Sequence, residues 1–295
     1  MNDGGDSRSA TPTCADELRI ATMTRDDIGF AIGLAADEGW NPGLHDDESF
    51  FAADPGGFLI GRLRGEPIGC ISAVRYPGDL GFIGLYIVVP AQRGKGYGIR
   101  LWNAAMQRLA GCNIGLDGVI AQQENYRRSG FRLLYSNIRF ESGDLPRAAP
   151  AGDIVALRNV ATASVHEYDR TAFPAARDAF LQSWLAQADA VGFASVAGDR
   201  LRGYGVIRKC RSGWKIGPLF ADDAGTAERI YLALAAARDN DEAVYLDVPE
   251  VNAAAIALAR KLNMREVFGT ARMMTGEAPP IALERVFGVT TFELG

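Results

Sequence analysis

Residues 81–98 read GFIGLYIVVPAQRGKGYG. Gly81 to Val89 is an apolar run rich in β-branched residues, which reads as a buried strand, and Pro90 ends it because proline cannot donate to a sheet ladder. The turn Arg93-Gly94-Lys95-Gly96-Tyr97-Gly98 puts glycines where a backbone must come close to a ligand, and a helical stretch from Gly98 to Ala110 opens directly after it. Helix N-termini carry unpaired amides and a partial positive charge. Pyrophosphate is therefore the natural guest of such a turn, with Arg93 and Lys95 adding charge. Turns of this kind also close strands onto helices with no ligand, so the turn alone leaves both readings open. A Walker loop is excluded because no Gly-Lys-Ser or Gly-Lys-Thr closes it, and a dinucleotide fold is disfavoured because no parallel unit starts the sheet.

Upstream of this stretch, Leu18 to Thr22 reads as a strand and Arg25 to Glu38 as a helix with Thr24 at its N-cap, stopped by the loop Gly39-Trp40-Asn41-Pro42-Gly43. A second helical patch, Asp47 to Ala53, leads into an antiparallel hairpin, Gly57 to Arg64 and Pro67 to Tyr76, turning at Gly65-Glu66. Ser142 to Asp153 holds two prolines and two glycines without apolar period, which sets a linker at 144–153. After it the order starts afresh. A strand at Ile154 to Arg158 precedes helices near Val165 to Asp169 and Ala175 to Gln187. Strands follow at Gly192 to Ala197, Leu201 to Lys209 and Trp214 to Leu219, then a helix Ala224 to Arg238, a strand Ala243 to Val248, a helix Asn252 to Leu262 and a terminal β hairpin. The second series echoes the first, an internal duplication of fold rather than of sequence.

Composition narrows the function classes. The chain has 295 residues, 48% apolar and 23% charged, with a net charge of −5. That is enough for two cores of ordinary size. Neither half is basic, which argues against nucleic acid or an anionic membrane surface as partner. Cys14, Cys70, Cys112 and Cys210 form no paired spacing, which fits a reducing, cytoplasmic compartment and offers no metal site. The first fifteen residues lack the pattern of a signal peptide and read as a disordered tail.

Two motifs together carry a family resemblance. Arg93-x-x-Gly96-x-Gly98 after Val88-Val89-Pro90 resembles the acyl-CoA-binding motif of the GNAT superfamily of N-acetyltransferases, and Asn125-Tyr126-Arg127-Arg128-Ser129-Gly130-Phe131 resembles its later helix. Spacing and element order match from about Leu18 to Phe140. The likeness extends to bacterial tandem-GNAT proteins, through Gly39 to Gly43, Gly84 to Val88, Gly115 to Val119 and Glu124 to Phe131. The resemblance implies an α/β (α+β) chain of two tandem GNAT-like domains, each a mixed, mostly antiparallel central sheet flanked by helices. Its parts are a tail at 1–15, an acetyl-CoA-binding domain at 16–143, the linker, and a degenerate copy at 154–295. In place of the glycine-rich turn the second copy has Phe220-Ala221-Asp222-Asp223-Ala224-Gly225-Thr226, whose carboxylates repel a pyrophosphate.

The function implied is acetyl-CoA-dependent transfer of an acetyl group directly to a small-molecule amine, by a monomer or homodimer. Transfer of a longer acyl group, transfer to a hydroxyl, and a CoA-binding sensor without turnover stay open. In the family the strand before the turn pairs through its backbone with the pantetheine arm, which assigns Tyr86, Ile87, Val88 and Val89 to the cofactor, together with the turn residues Arg93, Gly94, Lys95, Gly96, Tyr97, Gly98 and Ile99. Asn125 and Arg128 could reach the pantetheine or a phosphate. Tyr126 matches the tyrosine that protonates the CoA thiolate, and its alternative is a core tyrosine on a backbone carbonyl. For the base, Glu38 stands beside the acceptor loop, and Asp117 could hold an ammonium or simply be a turn residue before Gly118. Trp40, Asn41, His45 and Asp46 are the candidates for the acceptor wall. Asp247 or Asn252 of the second copy could complete it if the copies pack sheet edge to sheet edge.

Overall fold

The structure, a computed structural model, describes residues 17–143, 152–238 and 242–295. The expected tail and most of the expected linker lie outside the described residues. The first copy runs β1 (Arg19–Thr22), α1 (Arg25–Asp37), α2 (Asp46–Ala53), β2 (Phe58–Leu63), β3 (Glu66–Tyr76), β4 (Leu80–Val88), α3 (Tyr97–Arg108), β5 (Asn113–Val119), α4 (Gln123–Arg128) and β6 (Arg132–Glu141). The second runs β7 (Ile154–Ala156), α5 (Thr162–Ala172), α6 (Asp178–Leu185), β8 (Ala190–Ala197), β9 (Arg200–Lys209), β10 (Trp214–Ala221), α7 (Ala224–Ala236), β11 (Val244–Pro249), α8 (Ala253–Lys261), β12 (Arg265–Met274) and β13 (Val286–Gly288).

Local chemistry explains the helix starts. Thr24 caps α1 by accepting from the Asp27 amide while the Asp27 carboxylate accepts from the Thr24 amide, a reciprocal capping box. Ile28, Ala31, Ile32 and Ala35 then recur at helical spacing and are buried. At α3 the N-cap is Gly96, in the left-handed region at φ 82°, and no side chain caps the helix. The corresponding α7 is capped by its own Asp223, which accepts from the Thr226 amide.

All thirteen strands form one sheet in the order β1-β2-β3-β4-β5-β12-β6-β11-β10-β9-β8-β7, with β13 joined to β10. The centre of this order is a strand exchange. The sixth strand of each copy, β6 or β12, lies against the fifth strand of the other copy, β11 or β5. The two exchanged strands pair with each other in between. One continuous hydrogen-bonded sheet therefore passes from one copy to the other three times, at β5–β12, β12–β6 and β6–β11.

The expected terminal β hairpin is not formed. β12 is committed on both edges to β5 and β6, and Thr275 to Arg285, with Pro279 and Pro280 inside, is too long and too poor in donors for a tight turn. The chain instead carries β13 to the end of β10, and residues 289–295 continue, buried, beneath the first copy.

Packing also ties the copies together. One core cluster spans both, and Phe50 of α2 stacks on Trp184 of α6 with ring centroids 6.3 Å apart, both rings fully buried. Burying each such ring contributes about 1.5–3 kcal/mol. α3 covers the other face of the first copy through Leu101, Trp102 and Ala105, while α7 and α8 cover the second.

Candidate active site

β4 and β5 run parallel and pair only from Leu80 to Ile83 and from Asn113 to Leu116. Beyond that they part. The register of β4 against β3 shows why: Gly84 faces Ser72 but Ile87 faces Cys70, so β4 has one extra residue there, and Leu85 in it has φ 46°. This β-bulge bends the strand away from its parallel neighbour. A cavity of about 830 Å³ fills the gap. One wall is the main chain of Gly84 to Val88, no longer paired to β5.

The cavity runs to the start of α3, and Gly98 is part of its wall. A side chain at Gly98 would put a Cβ 2.7 Å from the Tyr86 hydroxyl oxygen, so glycine lets the helix start this close to the strand without displacing Tyr86. Gly118 likewise has no room for a Cβ against the Tyr126 ring. Tyr86, Trp102 and Tyr126 form an aromatic row, with centroids 5.5 Å and 5.6 Å apart. Burial pushes the Tyr126 phenol up to about 12, with Tyr86 adding to it, so Tyr126 stays protonated through the physiological range.

Of the residues expected to hold the cofactor, Tyr86, Ile87, Val88, Arg93, Gly94, Gly98, Ile99, Asn125 and Arg128 line this cavity, while Val89, Lys95, Gly96 and Tyr97 are not among its lining residues. The Lys95 ammonium is folded back onto the Ala91 carbonyl at 2.8 Å and Gln92 Oε1 at 3.0 Å. Arg93 donates from Nε to the Val88 carbonyl at 2.8 Å and pairs with Glu38. Tyr126, Glu38, Asp117 and Trp40 also line the cavity.

Asn41, His45 and Asp46 do not. The loop that bears Asn41 is clamped by the second copy: Asn41 exchanges hydrogen bonds with the main chain of Ser212, and its carbonyl accepts from Lys215 Nζ at 2.8 Å. Asp46 is 1% exposed and bonded to Arg208 at 2.8 Å. Burial raises its pKa, but Arg208, Lys215 and the Gly43 amide outweigh that and hold it below the usual carboxylate range. His45 bonds to Asp189 at 3.1 Å in a separate groove between α2 and α6. These residues hold the copies together instead of facing the cavity.

Asp117 sits at the cavity floor with its carboxylate engaged by Arg272 at 2.6 and 2.8 Å and by Asn137 at 2.8 Å. Asp247 is in the matching position of the second copy, bonded to Arg139 at 2.6 and 2.8 Å. Asn252 caps α8 and also bonds the carbonyls of Leu283, Glu284 and Val286.

Among the cavity residues that sequence reading missed are Arg139, Phe268, Thr270, Phe292 and Glu293. The last four belong to the second copy and arrive through the exchange of β12 and through the terminal tail. Glu293 was the one visible hint, a lone charge in the otherwise uncharged run Val286 to Gly295.

Among the described residues of the second copy the matching gap is filled. β13 pairs with β10 at Leu219 and Phe220, where the first copy's β4 is free, and Val289 donates to the Asp247 carbonyl of β11. The chain's own backbone thus occupies the gap between β10 and β11, and the α7 amides are turned to Asp223. Among the described residues no helix is long and apolar enough to cross a membrane.

Comparison with known proteins agrees with this geometry. The Acetyltransferase (GNAT) family matches residues 26–131 and an Acetyltransferase (GNAT) domain matches residues 165–288. The Holothin acyltransferase of Pseudoalteromonas sp. (strain SANK 73390) is 31% identical over 264 residues, covering 88% of each chain. Among solved structures, one from Pyrococcus horikoshii superposes with a TM-score of 0.81 at 24% identity over 97% of this chain and 98% of that one. A tandem GNAT protein from the clavulanic acid biosynthesis pathway superposes with a TM-score of 0.63 at 15% identity over 89% of this chain and all of that one. The chain belongs to the GNAT acetyltransferase superfamily, an acyltransferase built from two GNAT copies in one polypeptide.

Proposed function

We propose that the protein transfers a short acyl group, acetyl in the first instance, from acyl-CoA directly to the amine of a small molecule, in the cavity of the first copy and with one acyl-CoA per chain. The observation that carries this reading is the main chain of Gly84 to Val88, free of β5 on its cavity edge, leading to an uncapped helix N-terminus. A pantetheine arm needs backbone partners along its length, and a pyrophosphate needs free amides at its end. Both lie in a line along one cavity wall. The second copy lacks both, because β13 and Asp223 take those positions.

Tyr126 is the proton donor to the leaving sulfur. Its raised pKa is compatible with that role, because the same dry surroundings raise the basicity of the departing thiolate. A main-chain amide of β4 beyond the bulge is the donor to the thioester oxygen, and Arg93, Asn125 and Arg128 steady the cofactor from the cavity mouth. Glu38, paired with Arg93, closes the wall on the acceptor side with Trp40. Acyl-CoA with an acetyl group fits a floor shut by Asp117, Arg272 and the tail residues Phe292 and Glu293. The name of the 31% identical relative, Holothin acyltransferase, supports a small-molecule acceptor. The test is thiol release from acetyl-CoA against a panel of amines and of matching alcohols. Amine-dependent release supports the reading, and release with alcohols alone replaces it with hydroxyl transfer.

A further inference from the structure

We propose that Glu293, carried into the first copy's cavity by the terminal tail of the second, receives the acceptor as an ammonium ion and takes its proton. The proposal rests on the amine-transfer reading above.

Three carboxylates line the cavity besides the exposed rim: Glu38, Asp117 and Glu293. Glu38 is neutralised by Arg93 and Asp117 by Arg272. Glu293 forms no ion pair with a described residue, and its carboxylate accepts only from the Thr291 hydroxyl. It is 6% exposed and is one of the residues that line the cavity. A buried carboxylate without a cation costs several kcal/mol unless a charge arrives to meet it. An acceptor ammonium is such a charge.

The position is fixed as firmly as a binding group requires. The Glu293 backbone lies in direct contact with Gly84, in the bulge that opens the cavity, where any Cβ would collide with the Glu293 carbonyl. On one side Tyr76 donates its hydroxyl to the Leu294 carbonyl at 3.0 Å, and Arg177 reaches the Gly295 carbonyl at 3.5 Å. On the other side the Phe292 ring packs under the Arg139 guanidinium at 5.0 Å. The charged groups that feel Glu293 are Asp117, Arg139 and Arg208, and each is already committed to a partner, Arg272, Asp247 and Asp46. Trp40, Phe268 and Phe292 give the surrounding wall its apolar character, so the acceptor class is a primary amine on an apolar or aromatic body.

The proton account closes. The ammonium gives one proton to Glu293, which returns it to solvent. The freed nitrogen lone pair forms the new C–N bond at the thioester carbonyl carbon as the C–S bond breaks. The sulfur leaves with that bonding pair and takes a proton from Tyr126, and the second proton lost by nitrogen restores the phenol.

The experiment measures thiol release from acetyl-CoA with aromatic and aliphatic primary amines and with matching alcohols, in the full chain and in Glu293→Gln and Glu293→Asp, across about pH 6 to 10. Calorimetric titration of CoA into each variant controls for folding. The expected result is a loss of about a hundredfold in kcat/KM for amines in Glu293→Gln, a flattened pH profile, partial recovery in Glu293→Asp, and unchanged CoA affinity. A wild type that acylates amines while Glu293→Gln keeps its kcat/KM and pH profile overturns the role of Glu293 and leaves amine transfer standing. A wild type that acylates alcohols, or no amine in the panel, overturns both.

Discussion

Asp117 of β5 and Arg272 of β12 face each other across the exchanged strands, their side chains bonded at 2.6 and 2.8 Å. The same pair recurs between Asp247 of β11 and Arg139 of β6. In each copy an aspartate of the fifth strand is held by an arginine of the other copy's sixth. The exchange is thus locked twice by one duplicated contact, and the first lock forms part of the cavity floor.

Removing one member of such a buried pair leaves the other charge without compensation. Asp117→Ala should lower stability by about 3–5 kcal/mol, and the double replacement Asp117→Leu with Arg272→Met should recover most of that loss. Denaturant titration of the two variants and of Arg272→Met alone checks the cycle. A loss in the double variant equal to the sum of the two single losses would mean that the pair contributes nothing as a pair.

Acid should loosen the interface between the copies. The folded-state pKa values of Asp46 and Asp247 lie below the usual 3.8, because Arg208 and Arg139 outweigh the effect of burial. A carboxylate depressed in the fold contributes stability above its unfolded pKa and loses it as pH falls through the folded value. Stability should therefore drop steeply below about pH 4, and Asp46→Asn should flatten that drop. Thermal melts at stepped pH give the slope, and an unchanged slope in the variant would contradict the assignment.

The two copies should not fold apart. A fragment ending at residue 143 has β6 without β12 and leaves an edge of β5 open, while the second half alone leaves β11 open. Unpaired edges of this kind aggregate. Each half expressed alone should be insoluble, and co-expression should return one soluble species that contains both. A soluble, monomeric first half with native thermal behaviour would count against the exchange.

Much of this was legible in residues 81–98, since an apolar strand, a proline and glycines at 94, 96 and 98 specify a strand, a turn and a helix by local rules alone. The repeat was readable for the same reason: each element carries its own period and its own cap. The exchange was not, because β6 and β12 are both alternating strands that satisfy either neighbour, and nothing in their spacing says which fifth strand they join. Of the four residues expected at the acceptor wall, Trp40 lines the cavity. Asn41, His45 and Asp46 look like loop residues free for a ligand, yet the second copy lies over them. Glu293 lies more than two hundred residues away in sequence from the wall it touches, as Gly84 does from it.

Gly96 tests the cofactor end. At φ 82° a β-branched residue is strained, and it would also crowd the approach to the α3 amides. Gly96→Val should abolish CoA binding in calorimetry, while the wild type binds one CoA per chain. A stoichiometry of two would show that the second copy binds in spite of β13.

The reaction proposed for the first copy of this tandem GNAT protein, release of CoA from acetyl-CoA by transfer to an amine, depends on Tyr126 as the proton donor. The most direct measurement is amine-dependent thiol release by the wild type and by Tyr126→Phe, with CoA affinity measured beside it. In Tyr126→Phe, kcat should fall about a hundredfold with affinity nearly unchanged. Full turnover in Tyr126→Phe would contradict it.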